Sequence, residues 1–367
     1  NKACHTPTTT RYGCSAARLQ AEGLEWQSSS AECSSQPTPT LASAMLLGKG
    51  HHRRANRTLF IIGDSTQKQT ADAAFCQIAT ELSADASRAS PLFAKGAARN
   101  WQWRQPPWWW QTTPSDAYQK RLVSCAKADG ASGGSVRLCF IPTATLGRTV
   151  LQGRDAATVS LALRKLVARL NVTRRTDLAL INSGSWYMGQ VSCAAGGLYI
   201  RNCDAAQAAD AEAIVNLTAS HAGVVPRLLW RETYATHFQT ADGVFDGQAN
   251  NELRLYAKSK GAAGNKSIAL TECKPLPSAA FKPLVLANVS AILRSAAPHG
   301  ASEALTVLDT WSPTRNLSVA THHVIRRGQD ELAPPDCTHF CQWVGVDEMV
   351  LGAVAWAAVA PPRPRQP

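Results

Sequence analysis

A serine lies where a strand is expected to end and a helix to begin. The apolar run 58–62 predicts a strand that stops at Gly63, and helix-compatible spacing follows over 67–82. Ser65, in the sequence Gly63-Asp64-Ser65, would expose its hydroxyl at the carboxyl end of that strand, where ligand crevices of open α/β sheets form. Its backbone amide would lie at a helix start, which favours an oxyanion. The alternative is that Ser65 only caps the helix.

A carboxylate and an imidazole lie close together near the other end of the chain. Asp336 and His339 are three residues apart, just before the last predicted helix. Asp336 can hold one imidazole nitrogen while the other faces a nucleophile, which makes His339 a candidate base for Ser65. A serine hydroxyl needs such a base, whose help is worth roughly 10²- to 10⁴-fold. The alternative is that Asp336 and His339 only bond to each other in a surface loop.

The elements that must position these residues alternate along the chain. Strands are predicted at 135–141, 177–181, 227–231 and 304–308, and helices at 156–170, 205–220, 282–294 and 346–359. This order predicts an α/β fold, with a mostly parallel sheet in a three-layer α/β/α sandwich. We expect a Cys-containing, disulfide-stapled N-terminal extension packed on the core at 1–54, one catalytic domain at 55–360 and a disordered tail at 361–367.

The composition is that of a folded, basic protein. Of 367 residues, 45% are hydrophobic and 17% charged, and the formal net charge is +12. The apolar run 349–360 is too short for a membrane span, which takes about 20 residues. No nucleic-acid-binding motif accompanies the positive charge, so we expect an acidic glycan or anionic surface as partner rather than nucleic acid. A basic surface that serves only solubility is the alternative.

Asparagines and cysteines indicate an oxidising lumen. Six Asn-x-Ser/Thr sequons predict N-linked glycans, at Asn56, Asn171, Asn216, Asn265, Asn288 and Asn316. The eleven cysteines favour disulfides over a metal site, and their odd number leaves one thiol over. We therefore predict the secretory pathway lumen (Golgi) or the extracellular space. Because the chain starts at Asn1 without an apolar leader, any signal or membrane anchor is expected outside it.

Local cysteine spacing favours three pairs without fixing the connectivity. They are Cys4 with Cys14, Cys125 with Cys139, and Cys193 with Cys203. Cys337 and Cys341 have no matching second pair, so zinc is the minor reading there. The paired histidines at 51–52 and 322–323 also lack further ligands at suitable spacing, and we predict no metal.

Four blocks in order resemble the trichome-birefringence-like/PC-esterase branch of the SGNH (GDSL) superfamily. Two of them are GDS at 63–65 and DCTHFC at 336–341. Between these, DLALINSGSWY at 177–187 is similar to the family's Asp-led strand and its Asn-Thr-Gly-His-Trp-Trp turn. RET at 231–233, with HF at 237–238, is similar to its Arg-Thr…His-Phe segment. Most of that branch is linked to plant-type polysaccharide O-acetylation, and each block alone is less specific than the combination.

The resemblance implies an SGNH-hydrolase-like domain that needs no metal or bound cofactor. It gives Ser65, His339 and Asp336 the roles of nucleophile, base and orienting carboxylate. It makes Asn182 and the backbone near Gly184 candidates for the oxyanion pocket, beside the Ser65 amide. It does not specify the acetyl donor.

The same resemblance nominates a substrate groove. Its candidates are Arg231, His237 and Trp186, and the alternative for Arg231 and His237 is a structural hydrogen-bonding role. Five tryptophans crowd 101–110, where exposed indoles could stack on sugar rings. The alternative for them is an apolar loop packed against the sheet.

The candidate residues and the family resemblance together lead us to expect one of three functions. The first is a lumenal carbohydrate (polysaccharide) O-acetyltransferase that passes through an acetyl-serine. The second is a carbohydrate acetylesterase with the same triad, in which water takes the acyl group. The third is a non-catalytic glycoprotein binding or assembly module. It is motivated by departures from the family pattern at 66–70 and at Ser185, where the family carries histidine.

Overall fold

The structure is a computed structural model, and it describes seventeen segments of the chain. These are 39–46, 56–82, 124–130, 134–142, 177–182, 184, 203–220, 227–238, 243–244, 273–276, 284–295, 305–318, 321–322, 325–327, 331–333, 336–340 and 345–359.

The described residues form helices and strands that alternate through most of the chain. In chain order they are α1 (Leu41–Leu46), β1 (Asn56–Gly63), α2 (Ser65–Leu82), β2 (Ser124–Asp129), β3 (Ser135–Pro142), β4 (Leu178–Ile181), α3 (Cys203–Ser220), β5 (Arg227–Arg231), α4 (Leu284–Ser295), β6 (Leu305–Leu308), α5 (Trp311–Thr314), β7 (Thr321–His322), β8 (Ile325–Arg327), β9 (Glu331–Ala333), β10 (Asp336–Phe340) and α6 (Val346–Val359). Among these helices, none is both long and apolar enough to cross a bilayer.

One mostly parallel sheet organises the described fold. Its six strands lie in the order β2-β3-β1-β4-β5-β6. The five strands from β3 to β6 in this order run parallel, and β2 pairs antiparallel with β3 at the edge. The predicted α/β class with a mostly parallel sheet is therefore confirmed. After β1 the chain adds β3 on one side and later β4 on the other, so the strand order reverses between β1 and β4.

Two hydrophobic cores use alternate residues of β1. Leu59 and Ile61 belong to one core, which also contains side chains of α1, α2 and α6. Phe60 and Ile62 belong to the other, with side chains of α3 and α4. Successive residues of a strand point to opposite faces of a sheet, so β1 contributes to both cores and is held on both sides.

Strand β10 lies outside the main sheet and is anchored separately. It pairs antiparallel with the short strand β7, with a shift of register between Asp336 and Phe340. A disulfide joins its second residue, Cys337, to Cys273 across 64 positions. This pairing was not among the three predicted from spacing, and it places Cys337 in a disulfide rather than a zinc site. Strands β8 and β9 form a separate antiparallel pair.

The predicted elements that fall on described residues are confirmed, with small changes at their ends. The prediction for β5 matches to the residue, as does that for α6, and α2 starts two residues earlier than expected, at Ser65. The predicted helix at 156–170 lies outside the described residues. The short elements α1, β2 and α5 and the strands β7 to β10 were not predicted from the sequence.

The structure describes only some of the cysteines that were predicted to form disulfides. Cys125 lies opposite Cys139 in the antiparallel register of β2 and β3. Cys139 is disulfide-bonded, as is Cys76. The side chain of Cys125 lies outside the described part, so its pairing with Cys139 stays a prediction. The residues Cys4, Cys14 and Cys193 and the side chain of Cys203 also lie outside it.

Candidate active site

Ser65 is the first residue of α2, directly beyond the carboxyl end of β1. The turn between them is tight at Gly63, where an added Cβ would come within 2.7 Å of the Asn182 carbonyl oxygen and 2.4 Å of Gln67 Cγ. Only glycine lets β1 approach β4 and α2 this closely. Because β1 and β4 flank the reversal of strand order, Ser65 lies where ligand crevices of open α/β sheets form.

Asp64, rather than Ser65, caps the start of α2. Its Oδ1 accepts hydrogen bonds from the backbone N of Thr66 at 2.9 Å and from the Thr66 hydroxyl at 2.7 Å. Asp64 is buried, whereas Ser65 is exposed. This capping satisfies an otherwise unpaired helix donor and leaves the hydroxyl of Ser65 free of that task.

The structure brings Ser65 and His339 together. Ser65 Oγ lies 2.7 Å from His339 Nε2, although 274 residues separate the two in the chain. In the tautomer that leaves Nε2 unprotonated, the serine hydroxyl donates this bond. That is the contact by which a base removes the proton of a serine nucleophile.

The third predicted member, Asp336, begins β10 three residues before His339. In a regular strand, residues three apart point to opposite faces, but the register of β10 shifts between Asp336 and Phe340. The Asp336 side chain lies outside the described part of the structure. Its contact with the imidazole therefore stays a prediction.

Several contacts hold the strand that carries His339. Gln69 of α2 donates from Nε2 to the Phe340 carbonyl oxygen at 3.0 Å. The backbone N of His237 donates to the Cys337 carbonyl oxygen, also at 3.0 Å. The buried ring of Phe340 meets the Tyr234 ring edge-on, with centroids 5.4 Å apart. The base is therefore tied both to the helix of the nucleophile and to the segment after β5.

Asn182 and Gly184 lie beyond β4, but their donors already have partners. Asn182 is buried, and its Nδ2 donates to the Arg231 carbonyl oxygen at 2.9 Å and to Thr233 Oγ1 at 3.2 Å. The Gly184 amide faces Asn182 Oδ1 at 3.5 Å. Oxyanion contacts from these groups would require them to exchange internal partners when a substrate binds. The Ser65 amide at the start of α2 remains the oxyanion candidate closest to the nucleophile.

Arg231 lies behind the nucleophile and not on the surface. Its guanidinium is fully buried, donates from Nη2 to Thr66 Oγ1 at 2.7 Å, and stacks over the Tyr234 ring at 3.9 Å. Because the Thr66 hydroxyl in turn donates to Asp64, a chain of polar contacts runs from Arg231 to the cap of α2. This burial favours the structural alternative for Arg231 over substrate binding.

A carboxylate shares this interior. Asp347, near the start of α6, accepts a hydrogen bond from Thr70 Oγ1 at 2.8 Å. Burial raises the pKa of Asp347 to about 7, against the opposing effects of the Thr70 bond and of Arg231. Burial likewise raises the pKa of Tyr234 to about 12, while Arg231 acts in the opposite direction. The interior beneath α2 thus holds a buried cation beside an acid that ionises only near neutral pH.

His237 is also fully buried. Its Nδ1 lies 3.2 Å from the Lys274 carbonyl oxygen and its Nε2 3.0 Å from that of Thr314. Its ring meets the Phe340 ring edge-on at 6.0 Å. Both nitrogens face the protein interior, which again favours the structural alternative. Trp186 and the tryptophans at 101–110 lie outside the described residues.

Sequence reasoning did not find Gln69 or the capping role of Asp64. The second had a signal, because an Asp just before a predicted helix is itself a preferred N-cap. Gln69 had none, since its partner is a backbone carbonyl 271 positions away.

Four sequon asparagines lie on described residues and all are exposed: Asn56, Asn216, Asn288 and Asn316. Asn171 and Asn265 lie outside.

Comparison with known proteins gives no independent assignment. No protein-family model matches the chain, and no curated protein matches it in sequence. Within the part of the chain that the structure describes, no cluster of three or more His, Cys, Asp or Glu side chains could hold a metal ion.

Proposed function

We propose that this protein is a serine acyltransferase that O-acetylates a carbohydrate polymer. The observation that carries the proposal is the 2.7 Å contact between Ser65 Oγ and His339 Nε2 at the carboxyl end of β1. A nucleophile and a base in hydrogen-bond reach, at the start of a helix, form the core of acyl-enzyme chemistry.

The reaction proceeds through an acetyl-serine. His339 Nε2 takes the proton of Ser65 as Oγ attacks the carbonyl carbon of the acetyl donor, and the Ser65 amide at the start of α2 stabilises the resulting oxyanion. The intermediate collapses as His339 protonates the leaving group. A sugar hydroxyl, deprotonated by the same imidazole, then attacks the acetyl-serine carbonyl. The acetyl group passes to the sugar, and Ser65 recovers its proton from His339.

The wider fold is proposed to be the SGNH-type three-layer α/β/α sandwich. Support comes from the two cores that share β1, one with α1, α2 and α6 and the other with α3 and α4. Further support comes from Ser65 following the first strand while His339 precedes the last described helix. This is the order of blocks in the PC-esterase branch that the sequence resembles.

The substrate class and compartment are inferred from chemistry outside the site. Exposed sequon asparagines and the Cys273–Cys337 disulfide support a secretory, Golgi or extracellular setting. The net charge of +12 favours an acidic polymer. The choice of carbohydrate as acceptor rests on the family resemblance.

A carbohydrate acetylesterase is the second candidate. It is favoured by the exposure of the Ser65–His339 contact, because water can reach an exposed acyl-enzyme and compete with a sugar hydroxyl. Both candidates share the first half of the reaction, up to the acetyl-serine.

A fluorophosphonate probe tests the shared half. Wild-type protein and Ser295→Ala, which removes an exposed serine hydroxyl at the end of α4, should both label. Ser65→Ala should not label, and His339→Ala should label roughly 10²- to 10⁴-fold more slowly. Folded wild-type protein that stays unlabelled would favour the non-catalytic module instead.

Transfer and hydrolysis are then separated with an acetyl ester and an oligosaccharide. Mass spectrometry of the glycan after incubation should show an added acetyl group if the protein is a transferase. Free acetate with an unchanged glycan would assign the esterase. Ser65→Ala supplies the background of both reactions.

A further inference from the structure

The buried ring of His237 is enclosed by hydrogen-bond acceptors. Nδ1 faces the carbonyl oxygen of Lys274 at 3.2 Å, and Nε2 faces that of Thr314 at 3.0 Å. A carbonyl oxygen only accepts hydrogen bonds, so each ring nitrogen needs a hydrogen of its own. A neutral imidazole carries one such hydrogen, and its other nitrogen would present a lone pair to an oxygen. Both contacts are satisfied together only by the imidazolium.

We infer that His237 is held as a buried imidazolium and acts as a positioning residue for His339. The inference concerns the regulation of the proposed site, and its catalytic part rests on the proposed function. His237 does not touch the reacting atoms. It acts through β10, the strand that carries the base.

The contacts from His237 to this strand are direct. Its backbone N donates to the carbonyl oxygen of Cys337, and its ring lies edge-on to Phe340. These two residues stand on either side of His339 in β10. The His237 carbonyl oxygen accepts from Lys274 N, next to the disulfide partner Cys273. One ring therefore connects β10, the 273–276 segment and the end of α5.

Loss of one proton from the His237 imidazolium would break one of its two hydrogen bonds to carbonyl oxygens. The deprotonated nitrogen and its carbonyl oxygen would repel each other inside the protein, where His237 is out of reach of bulk solvent. The segment bearing that carbonyl would move away, and Cys337 and Phe340 would lose support. His339 would then be positioned less well against Ser65.

The two histidines consequently have opposite proton requirements. His339 must be neutral to accept the proton of Ser65, whereas His237 must be charged to hold β10. Activity should lie between two titrations, with an acid limb from His339 and an alkaline limb from His237. Such a window suits an acidic to neutral lumen.

Other charges near His237 modulate this window. The surrounding segments carry the basic groups Lys274 and Arg315, the acids Asp309 and Asp336, and His339 itself. The Lys274 and Asp309 side chains are exposed, so water screens them. Burial opposes a cation, and the two carbonyl contacts oppose that effect because they solvate the imidazolium in place of water. A proton on His339 would disfavour one on His237, and this separates the two titrations further.

Ring nitrogen NMR of the full chain with ¹⁵N-labelled histidine tests the charge directly. The His237 ring is assigned by its contacts to the Phe340 ring and by the loss of its signals in His237→Gln. We expect two protonated ring nitrogens at pH 7.5, above the usual histidine pKa of about 6.5. A single protonated nitrogen at pH 7.5 in folded wild-type protein would overturn the inference, and this readout needs no enzymatic activity.

The positioning role is tested by the pH profile of fluorophosphonate labelling. In wild-type protein the rate should fall about tenfold as the His237 ring signals report deprotonation, as expected for the loss of one charge-assisted bond. His237→Gln, whose amide does not titrate in this range, should lose that alkaline limb and keep the acid one. An unchanged alkaline limb in the variant would refute the positioning role. Folded wild-type protein that labels at no pH would refute the proposed function, while the ring signals still decide the charge of His237.

Discussion

Gln69 Nε2 donates a hydrogen bond to the carbonyl oxygen of Phe340 at 3.0 Å. Gln69 lies one turn beyond Ser65 on α2, and Phe340 directly follows His339 on β10. This bond therefore joins the element of the nucleophile to the element of the base. It fixes the distance between two side chains that come from opposite ends of the chain.

Replacing Gln69 by Leu keeps a side chain of similar size but removes this donor. We expect the free energy of unfolding to fall by about 0.5–1.5 kcal/mol, as for a typical hydrogen bond. We also expect several-fold slower labelling of Ser65, because β10 is less well fixed. Denaturant unfolding and labelling rates measure the two effects.

The matched control for this change is Gln77→Leu, two turns further along the same helix. It should leave the labelling rate close to that of wild-type protein. Equal labelling rates for the Gln69 and Gln77 variants would show that the bond to Phe340 does not position His339.

Removing the cap of α2 should affect stability and reactivity together. Asp64→Ala deletes the acceptor of both Thr66 bonds, so we expect a loss of about 0.5–2 kcal/mol in the free energy of unfolding. Labelling of Ser65 should slow as well, since its amide and hydroxyl start the same helix. Asp64→Asn keeps an acceptor oxygen and should lose less of both.

Asp72→Ala is the control for the cap, because it removes a carboxylate from the same helix. Asp72 pairs with Lys68 in a partly exposed i,i+4 contact, which contributes about 0.5 kcal/mol or less. If this change costs as much stability as Asp64→Ala, then capping by Asp64 is not what stabilises α2.

The predictable part of the fold is the part with continuous apolar runs. The β5 strand and the α6 helix are rich in large apolar or helix-favouring residues, and their predicted ends match the structure. The edge strand β2 was missed because its sequence, SCAKAD, has no β-branched or aromatic residue. It is a strand because β3 pairs with it, and this pairing is a tertiary effect.

The candidate active site likewise has a part that local sequence predicts and a part that it does not. The position of Ser65 at the end of a strand follows from local pattern and turn chemistry. The contacts that support His339 join residues far apart in sequence, such as Gln69 with Phe340 and Cys273 with Cys337. Local spacing contains no information about such pairs, and it favoured only short-range disulfides. The burial of Arg231 and His237 is likewise a property of the assembled fold.

The Cys273–Cys337 disulfide should be a large contributor to stability. It closes a loop with a sequence separation of 64, for which chain entropy gives roughly 4 kcal/mol. The double variant Cys273→Ser, Cys337→Ser should lose up to this amount in denaturant unfolding. It should also label more slowly, because the disulfide holds the second residue of β10.

A double variant is preferable to added reductant, since Cys76 and Cys139 are also disulfide-bonded. The double replacement by Ala serves as a second version without new hydroxyl groups. If both double variants unfold at the wild-type denaturant concentration, the disulfide does not constrain the unfolded chain as proposed.

Asp347 should make the stability of the protein depend on pH in a specific direction. Burial raises its pKa from 3.8 to about 7 in the folded state, so over this interval the folded protein keeps a proton that the unfolded chain has released. Unfolding then releases a proton, and rising pH favours the unfolded state. The contribution of Asp347 to the free energy of unfolding should fall by up to ~1.4 kcal/mol per pH unit between these two pKa values and level off above them.

Asp347→Asn removes this titration and keeps an oxygen that can accept the Thr70 bond. The difference in free energy of unfolding, variant minus wild type, should therefore increase from pH 4 to pH 7 and then stay constant. Urea unfolding at a series of pH values measures it. Glu212→Gln, an exposed acid on α3, is the control and should give no such trend. Parallel wild-type and Asp347→Asn curves would mean that Asp347 ionises in the folded protein as readily as in the unfolded chain.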